Sequence, residues 1–418
     1  MPRGISGWLK SSQMAYPMLS RLGSKLKMFY SHFIAPPKRW RMPARREVLI
    51  YDACGADALH PYLTDYRVEV IELHGESVNL PCLLRAALKL GFWKGRPIEA
   101  YVDAFIQAVS PKVVMTFIDN DPGFYTISKR LPHIKTLFVQ NGMRGGVTDL
   151  FASLEPSPRY HVDHMLVFNK AFGRAFQQYV SGEATVIGSL KNNRVEKEPA
   201  DADNSVLFLS QYRNRPLSGS PFLVGVDGAT VQWDQFYEAE RCALKFMSEW
   251  CAGNQRTLRV AGCLQEDQGG EREFYASLLR GCSWEFVPRT DAYSSYRLVD
   301  AAHIVVFIDS ALGFEAIGRG KRTAGFSCRG TILNDGSLNF GWPARLPSNG
   351  PFWTNEVDEK EFRRVMDYLL TIGDAEWEQT RQRYADDLMA FDAGNTIFAD
   401  LLKRLVLPLV PGAKMDRP

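Results

Sequence analysis

The segment Asp309-Ser310-Ala311-Leu312-Gly313-Phe314-Glu315-Ala316 carries the densest group of side chains able to hold an anionic ligand. An apolar run ends at Ile308, small residues follow, and a helix is predicted to begin with Ser310 as its N-cap. Free backbone N–H groups at such a start, the helix dipole and a gap at Gly313 together favour a phosphate. Glu315 falls in the first turns, where a carboxylate can accept from ribose hydroxyls, although any capped helix also carries acidic residues near its start. Ser210-Gln211-Tyr212-Arg213 offers hydroxyl, amide and guanidinium groups suited to a phosphate or a base edge, or to an ordinary solvated loop. Arg213 or Lys321 would balance the phosphate charge.

Asp119-Asn120-Asp121 has the D-x-D form that elsewhere holds a divalent metal. It also reads as a carboxylate poised to take an acceptor proton, with Asp119 or Asp121 as base, or as a helix cap, because Pro122 follows. Gln140-Asn141-Gly142-Met143-Arg144-Gly145-Gly146 is a polar loop suited to close backbone approach by a sugar or phosphate, with Gln140, Asn141 and Arg144 as acceptor ligands. It lacks the Lys-Ser/Thr ending of a P-loop, which excludes a nucleoside triphosphatase, and no G-x-S-x-G elbow supports a hydrolase triad. The histidines, His74 among them, show no metal spacing beyond His161-x-x-His164 and read as structural. The seven cysteines form no C-x-x-C pair and point to a reducing compartment.

These loops are spaced as the ends of alternating strands and helices. Apolar runs at 48–51, 68–73, 113–118 and 136–139 alternate with helices predicted at 81–91, 97–109 and 122–131. After the polar stretch Lys191–Asn204 the alternation restarts. Strands are predicted at 206–209, 257–261, 284–287, 304–308 and 323–326, with helices at 233–252, 271–281, 291–301 and 312–319. Residues 358–373 and 375–406 read as closing helices. Such alternation predicts parallel sheets with crossover helices, and ligands of such sheets bind beyond the carboxyl ends of the strands. Phe117-Ile118-Asp119 to Gly123-Phe124 echoes Phe307-Ile308-Asp309 to Gly313-Phe314, consistent with two similar halves. The expected organisation is a leader at 1–46, one domain at 47–195, a second at 205–345 and a helical segment at 346–406.

With 418 residues, 45% hydrophobic and 23% charged, the chain is expected to form two globular domains. Residues 1–46 hold ten Lys/Arg and no acidic residue, leaving forty basic against forty-seven acidic residues in the body. That balance disfavours nucleic-acid binding by the body. The leader mixes its cations with apolar residues, a pattern that can lie on an anionic membrane surface or simply be a flexible start. No stretch reaches the length of a membrane span. The expected location is cytoplasmic, peripheral on the inner face of the cytoplasmic membrane.

Taken in order, several segments resemble a known family. They are Asp119-Asn120-Asp121, Gln140 to Gly145, Gly188-Ser189-Leu190-Lys191-Asn192-Asn193, Ser210-Gln211-Tyr212 and Ser294-Ser295-Tyr296. Asp309 to Ala316, Arg319-Gly320-Lys321, Phe340-Gly341-Trp342-Pro343 and Gly350-Pro351-Phe352-Trp353 complete the set. The sequence resembles bacterial O-antigen, or surface carbohydrate, biosynthesis proteins from about residue 47 to 405. That family looks like GT-B glycosyltransferases, more distantly similar to capsule enzymes that use CMP-activated sugars. The resemblance implies an α/β fold of two Rossmann-like domains facing a cleft, with C-terminal helices. It implies a nucleotide-sugar donor in the second domain, a lipid-linked glycan acceptor in the first, and no bound metal or other cofactor. Ala311 and Phe314 stand where Thr and Tyr would be expected, so two hydroxyls are missing. A sugar-nucleotide epimerase and a non-catalytic glycan-binding or assembly protein on the same scaffold are the alternatives.

Overall fold

The computed structural model describes residues 29–94, 96–145, 149–198, 203–212, 223–224, 230–265 and 270–406. The chain divides into two compact units, Met1–Leu137 with Leu405–Pro418, and Phe138–Arg404.

In the first unit, β1 (Val48–Tyr51) pairs in parallel with β2 (Val68–Ile71) on one side and β3 (Val113–Thr116) on the other. Every residue of β1 and β3 is buried, as expected of strands covered on both faces. Three helices, α1 (Leu80–Ala87), α2 (Leu90–Trp93) and α3 (Pro97–Val109), lie between β2 and β3. Pro97 starts α3 where no N–H is needed, and Ser110, in the left-handed region just before Pro111, ends it. Tyr101, Val102, Phe105, Ile106 and Val109 form its buried stripe. β4 (Lys135–Val139) carries the chain from one unit to the other.

The second unit opens with a β-α-β turn that the alternation above does not predict: β5 (His161–Val167), α4 (Lys170–Gln177) and β6 (Ser181–Val186). The two strands pair in parallel, from His161 opposite Ser181 to Val167 opposite Val186. Asn169 caps α4 by accepting from the Phe172 amide at 2.8 Å.

A seven-stranded sheet follows, built from β7 (Ser205–Leu209), β8 (Thr257–Ala261), β9 (Glu285–Val287), β10 (Ile304–Phe307), β11 (Thr323–Phe326), β12 (Asn349–Gly350) and β13 (Trp353–Thr354). Their order is β9-β8-β7-β10-β11-β13-β12, parallel except for the last pair. The chain winds outward from β7 first to β8 and β9, then returns to build β10 and β11 on the other side. The carboxyl ends of β7 and β10 therefore flank a topological switch point, where open sheets of this kind bind ligands. The intervening helices are α5 (Glu238–Gly253), α6 (Glu271–Leu278), α7 (Ser294–Ala301) and α8 (Ala311–Gly318).

The closing helices are α9 (Glu359–Thr371), α10 (Asp374–Arg383) and α11 (Thr396–Val406). Phe362 of α9 stacks on Phe326 of β11 at 4.3 Å between centroids. The single helix expected over 375–406 is interrupted after Arg383. Phe391 forms a β-bridge to Gly188, and Gly394 and Asn395 both have positive φ, which a continuous helix does not allow. Here the Gly188–Asn193 segment and the segment before α11 interlock. Asn193 Nδ2 donates to Asn395 Oδ1 at 2.9 Å, and Asn395 Nδ2 donates to the Leu190 carbonyl at 2.9 Å. Gly188 itself has φ of 75°, and a Cβ there would lie 2.1 Å from the Ala390 carbonyl oxygen. Gly188→Ala is therefore expected to cost about 1–3 kcal/mol from strain and displaced backbone. Denaturant unfolding would measure it, and an unchanged midpoint would show that the interlock adds nothing to stability.

Candidate functional site

At the switch point, β7 ends in Ser210-Gln211-Tyr212 and β10 leads into Ile308-Asp309-Ser310. The loops are joined directly, because the Gln211 side-chain oxygen accepts from the Asp309 amide at 3.2 Å. Ser210 donates to Glu271 at the start of α6, and Glu271 also accepts from the Cys263 and Leu264 amides at 2.9 and 3.0 Å. One buried carboxylate thus fixes the loops after β7 and β8. Burial beside it pushes the Cys263 thiol up to about 12, which marks that cysteine as packing rather than nucleophile.

The charge balance rests on Arg329, just beyond β11. Its guanidinium is 1% exposed, bonded to both Asp309 oxygens at 2.5 and 2.6 Å, paired with Glu240 of α5, and lies 4.0 Å over the Phe236 ring. Burial alone would oppose its charge, but the carboxylates of Asp309 and Glu240 hold it firmly protonated. Burial raises the pKa of Glu240, against the pull of Arg329. Asp309 thus stands at the switch point already paired with a cation, which offsets much of its charge.

Ser310 precedes α8 with extended backbone and makes no side-chain cap. The Ala311 and Leu312 amides lie ahead of the first i to i−4 bond of α8, which suits them to an anion. Gly313 has a different role from the one expected. Its amide donates to the Ser310 carbonyl at 3.0 Å, and a Cβ at this residue would sit 2.1 Å from the Phe307 ring. The gap at Gly313 is filled by Phe307, so glycine is required there by packing.

Glu315 is buried, and both its oxygens accept from protein hydroxyls, Ser189 at 2.5 Å and Tyr296 at 3.0 Å. Burial raises its pKa, with the two hydroxyls acting in the opposite direction. Lys321 lies past the far end of α8, about 12 Å of helix from Ser310. Its ammonium donates to the Asp300 carbonyl at 2.7 Å, so the structure does not bring it to the switch point. Arg213 lies outside the described residues.

The Gln140 loop is braced from within. Gln140, 1% exposed, donates to the Gly142 carbonyl and accepts from the Phe168 amide, both at 2.9 Å, which commits its amide to the loop itself. Arg144 is buried and donates to Asn141, and its carbonyl accepts from the Trp342 indole at 2.9 Å. In the first unit, Asp119 is 0% exposed, which excludes direct contact with a substrate hydroxyl in this conformation. Asp121 accepts from the Gly123 amide at 2.7 Å and from Tyr51 at 2.8 Å, the geometry of a capping aspartate. No group of three His, Cys, Asp or Glu side chains placed to hold a metal occurs among the described residues.

Sequence reasoning missed one pair. Asp52, at the carboxyl end of β1, is 3% exposed, has a positive φ of 78°, and meets His74 Nε2 at 2.6 Å. His74 itself is 62% exposed. The pair is twenty-two residues apart, so spacing could not reveal it, although Asp52 falls in a loop selected by the strand-end rule.

A family model described as "putative O-antigen biosynthesis protein" matches residues 137–406, and the chain belongs to that family. No curated protein matches it. Among solved structures, a putative UDP-N-acetylglucosamine 2-epimerase from Listeria monocytogenes is similar at a TM-score of 0.51 and 13% identity, covering 86% of this chain and 97% of that one. The S. aureus MnaA–UDP structure follows at 0.49 and 11%, with 85% and 95% covered, and the wall teichoic acid polymerase TagF at 0.46 and 10%, with 86% and 89% covered. The fold is thus mixed α/β of the GT-B type, with parallel sheets and C-terminal helices. No helix among the described residues is long and apolar enough to cross a membrane.

Arg329→Met leaves the buried Glu240 and the partly covered Asp309 without their cation. It should destabilise the chain by about 3–5 kcal/mol in denaturant unfolding, and adding Glu240→Gln with Asp309→Asn should recover much of that loss. A single-variant loss below about 1 kcal/mol would contradict a structural role for the Arg329 ion cluster.

Proposed function

We propose that this protein transfers a sugar from a nucleotide-activated donor to a lipid-linked glycan in the synthesis of O-antigen or another surface polysaccharide. The observation that carries the reading is the switch point of the seven-stranded sheet, where Gln211, the Arg329-paired Asp309 and the start of α8 converge. Membership in an O-antigen biosynthesis family supports the pathway, and the similar fold of a putative UDP-N-acetylglucosamine 2-epimerase supports the donor class. In this reading residues 205–345 hold the donor and residues 47–195 the acceptor. Donor phosphate lies at the Ala311 and Leu312 amides, supported by the helix dipole, and leaves as a stabilised anion. Ser210, Gln211 and Tyr212 line the nucleotide, and Glu315 accepts from ribose through lone pairs not used by Ser189 and Tyr296. The Gln140–Gly145 loop meets the acceptor through its backbone.

For the base we propose His74 in place of Asp119 or Asp121. The buried Asp52 carboxylate fixes the imidazole with its Nε2 proton directed inward, leaving Nδ1 to take the acceptor proton. No metal is required. A second reading, epimerisation of a sugar nucleotide, takes support from the epimerase name of a similar fold. Incubation with donor alone separates the two, because epimerisation needs no acceptor. A non-catalytic glycan-binding protein would bind nucleotide with no turnover. A thermal-shift series with CMP, UDP, GDP and dTDP identifies the nucleotide by mass action.

Two outcomes test the assignments. With the cognate nucleotide, Glu315→Gln should weaken donor binding by about 1.5–3 kcal/mol in calorimetry. It should also flatten the stability profile. A carboxyl whose folded pKa is raised stabilises fully below its unfolded pKa and loses that contribution as pH rises through the folded value. Wild type should therefore lose more melting temperature than the variant between acid and neutral pH; a flattened profile with unchanged affinity would make Glu315 purely structural. In rate assays containing EDTA, His74→Ala should slow turnover by roughly 10²–10⁴-fold at unchanged donor affinity, and Asp121→Asn far less. The reverse order would return the base to Asp121.

A further inference from the structure

The first unit carries an apolar surface that the nucleotide chemistry does not use. Leu84, Leu88, Leu90 and Trp93 are 60%, 88%, 76% and 74% exposed, four large side chains within ten residues. The helices present them outward by construction. In α1, Cys82 and Ala86 form the buried face, and Leu84 and the C-cap Leu88, each two residues further on, fall on the opposite side. In α2, Phe92 is the buried anchor while Leu90 and Trp93, three apart, face out. The Trp93 indole donates to the Ala87 carbonyl at 2.7 Å, so the ring is held outward with its only donor satisfied. Beside this corner, Phe29 and Phe33 pack against Phe92 at 6.2 and 6.1 Å between centroids, leaving Tyr30 and Ile34 58% and 55% exposed.

Charge narrows what can cover the patch. Arg85, Lys89, Lys94 and Arg96 are interleaved with the apolar residues, and residues 80–96 contain no Asp or Glu. Arg96 meets Glu99 of α3 at 3.8 Å. A second copy of this face would bring like charges together. The preceding residues 1–28 are also basic without an acidic residue, so they are poor partners by the same argument. An anionic phospholipid surface satisfies both halves of the pattern, accepting Leu and Trp side chains at the headgroup boundary and attracting the cations around them.

We propose that the α1–α2 corner is a membrane-docking surface that inserts Leu88, Leu90 and Trp93 into the interfacial region of an anionic bilayer. It is built into the folded unit and separate from the basic leader, and it goes beyond the proposed sugar transfer without depending on it. The test is co-sedimentation of the full chain with vesicles of phosphatidylethanolamine and phosphatidylglycerol, and with vesicles of phosphatidylcholine. Wild type should partition onto the anionic vesicles at least about tenfold better, and Leu88→Gln with Trp93→Gln should lose about tenfold or more of that partitioning. Both side chains are exposed, so the variant should stay folded, with its nucleotide-induced thermal shift unchanged. Arg85→Glu with Lys94→Glu should abolish the anionic preference, and deletion of residues 1–28 should leave binding that the Leu88/Trp93 variant removes. Equal partitioning of wild type and the Leu88/Trp93 variant overturns the proposal. So does a wild-type dimer that this variant converts to monomer in the absence of vesicles, which would make the patch a self-association surface.

Discussion

The second unit depends on keeping one buried cation neutralised. Arg329 reaches the switch point from beyond β11 and binds Asp309 after β10 and Glu240 on α5. Removing a guanidinium from water is costly, and only close carboxylates with good geometry offset that cost. The requirement fixes three separated segments against one another. Asp309 in turn offers its amide to Gln211, so the cation also fixes where β7 and β10 deliver their loops. A buried ion cluster of this kind specifies one arrangement more than it stabilises the fold, because any slip leaves a charge unpaired.

The same device recurs around it. Glu271 gathers the Ser210 hydroxyl and two amides of the next loop. Glu315 gathers Ser189 and Tyr296, and Arg319, whose side chain is 0% exposed, binds Asp300 and the carbonyls of Asn192 and Val195. Parallel sheets deliver all their loops to one end, where backbone groups outnumber the partners that secondary structure provides. Buried acidic and basic side chains supply the missing partners. Many polar residues near the switch point are thus occupied by protein, and the proposed donor site relies mainly on backbone amides at the start of α8.

Strand and helix positions were legible because they follow from local apolar runs and proline or capping stops. Helix 97–109 and the strands 257–261 and 323–326 are found at the expected residues. The β-α-β turn at 161–186 was not legible, because β5 opens with the polar His-Val-Asp-His before its short apolar end, and β6, Ser-Gly-Glu-Ala-Thr-Val, has no apolar run. The break before α11 was also hidden, since it depends on a bridge to Gly188 two hundred residues away. Among site residues, the switch-point loops were legible from strand ends. Their partners were not. Residue type at Gln140, Lys321 and Glu315 suggests a ligand, and only three-dimensional contacts reveal that protein groups already hold them.

Ala311 and Phe314 show how a departure from an expected motif can be read physically. Phe314 is 3% exposed, with ring centroids 5.0 Å from Phe307 and 5.4 Å from Phe340. Phe340 in turn stacks on Trp353 at 4.7 Å. A tyrosine hydroxyl in that aromatic cluster would need a buried partner, and phenylalanine removes the need. Phe307 closes the same cluster by filling the space a Cβ at Gly313 would occupy. The face of α8 that carries the motif is therefore set by packing with Phe307 and Phe340. At residue 311 the loss of a hydroxyl removes a side-chain donor and leaves the amide. Both departures leave the start of α8 defined by its backbone, held by an aromatic core on one side and the Arg329 cluster on the other, which is the geometry the proposed donor site uses.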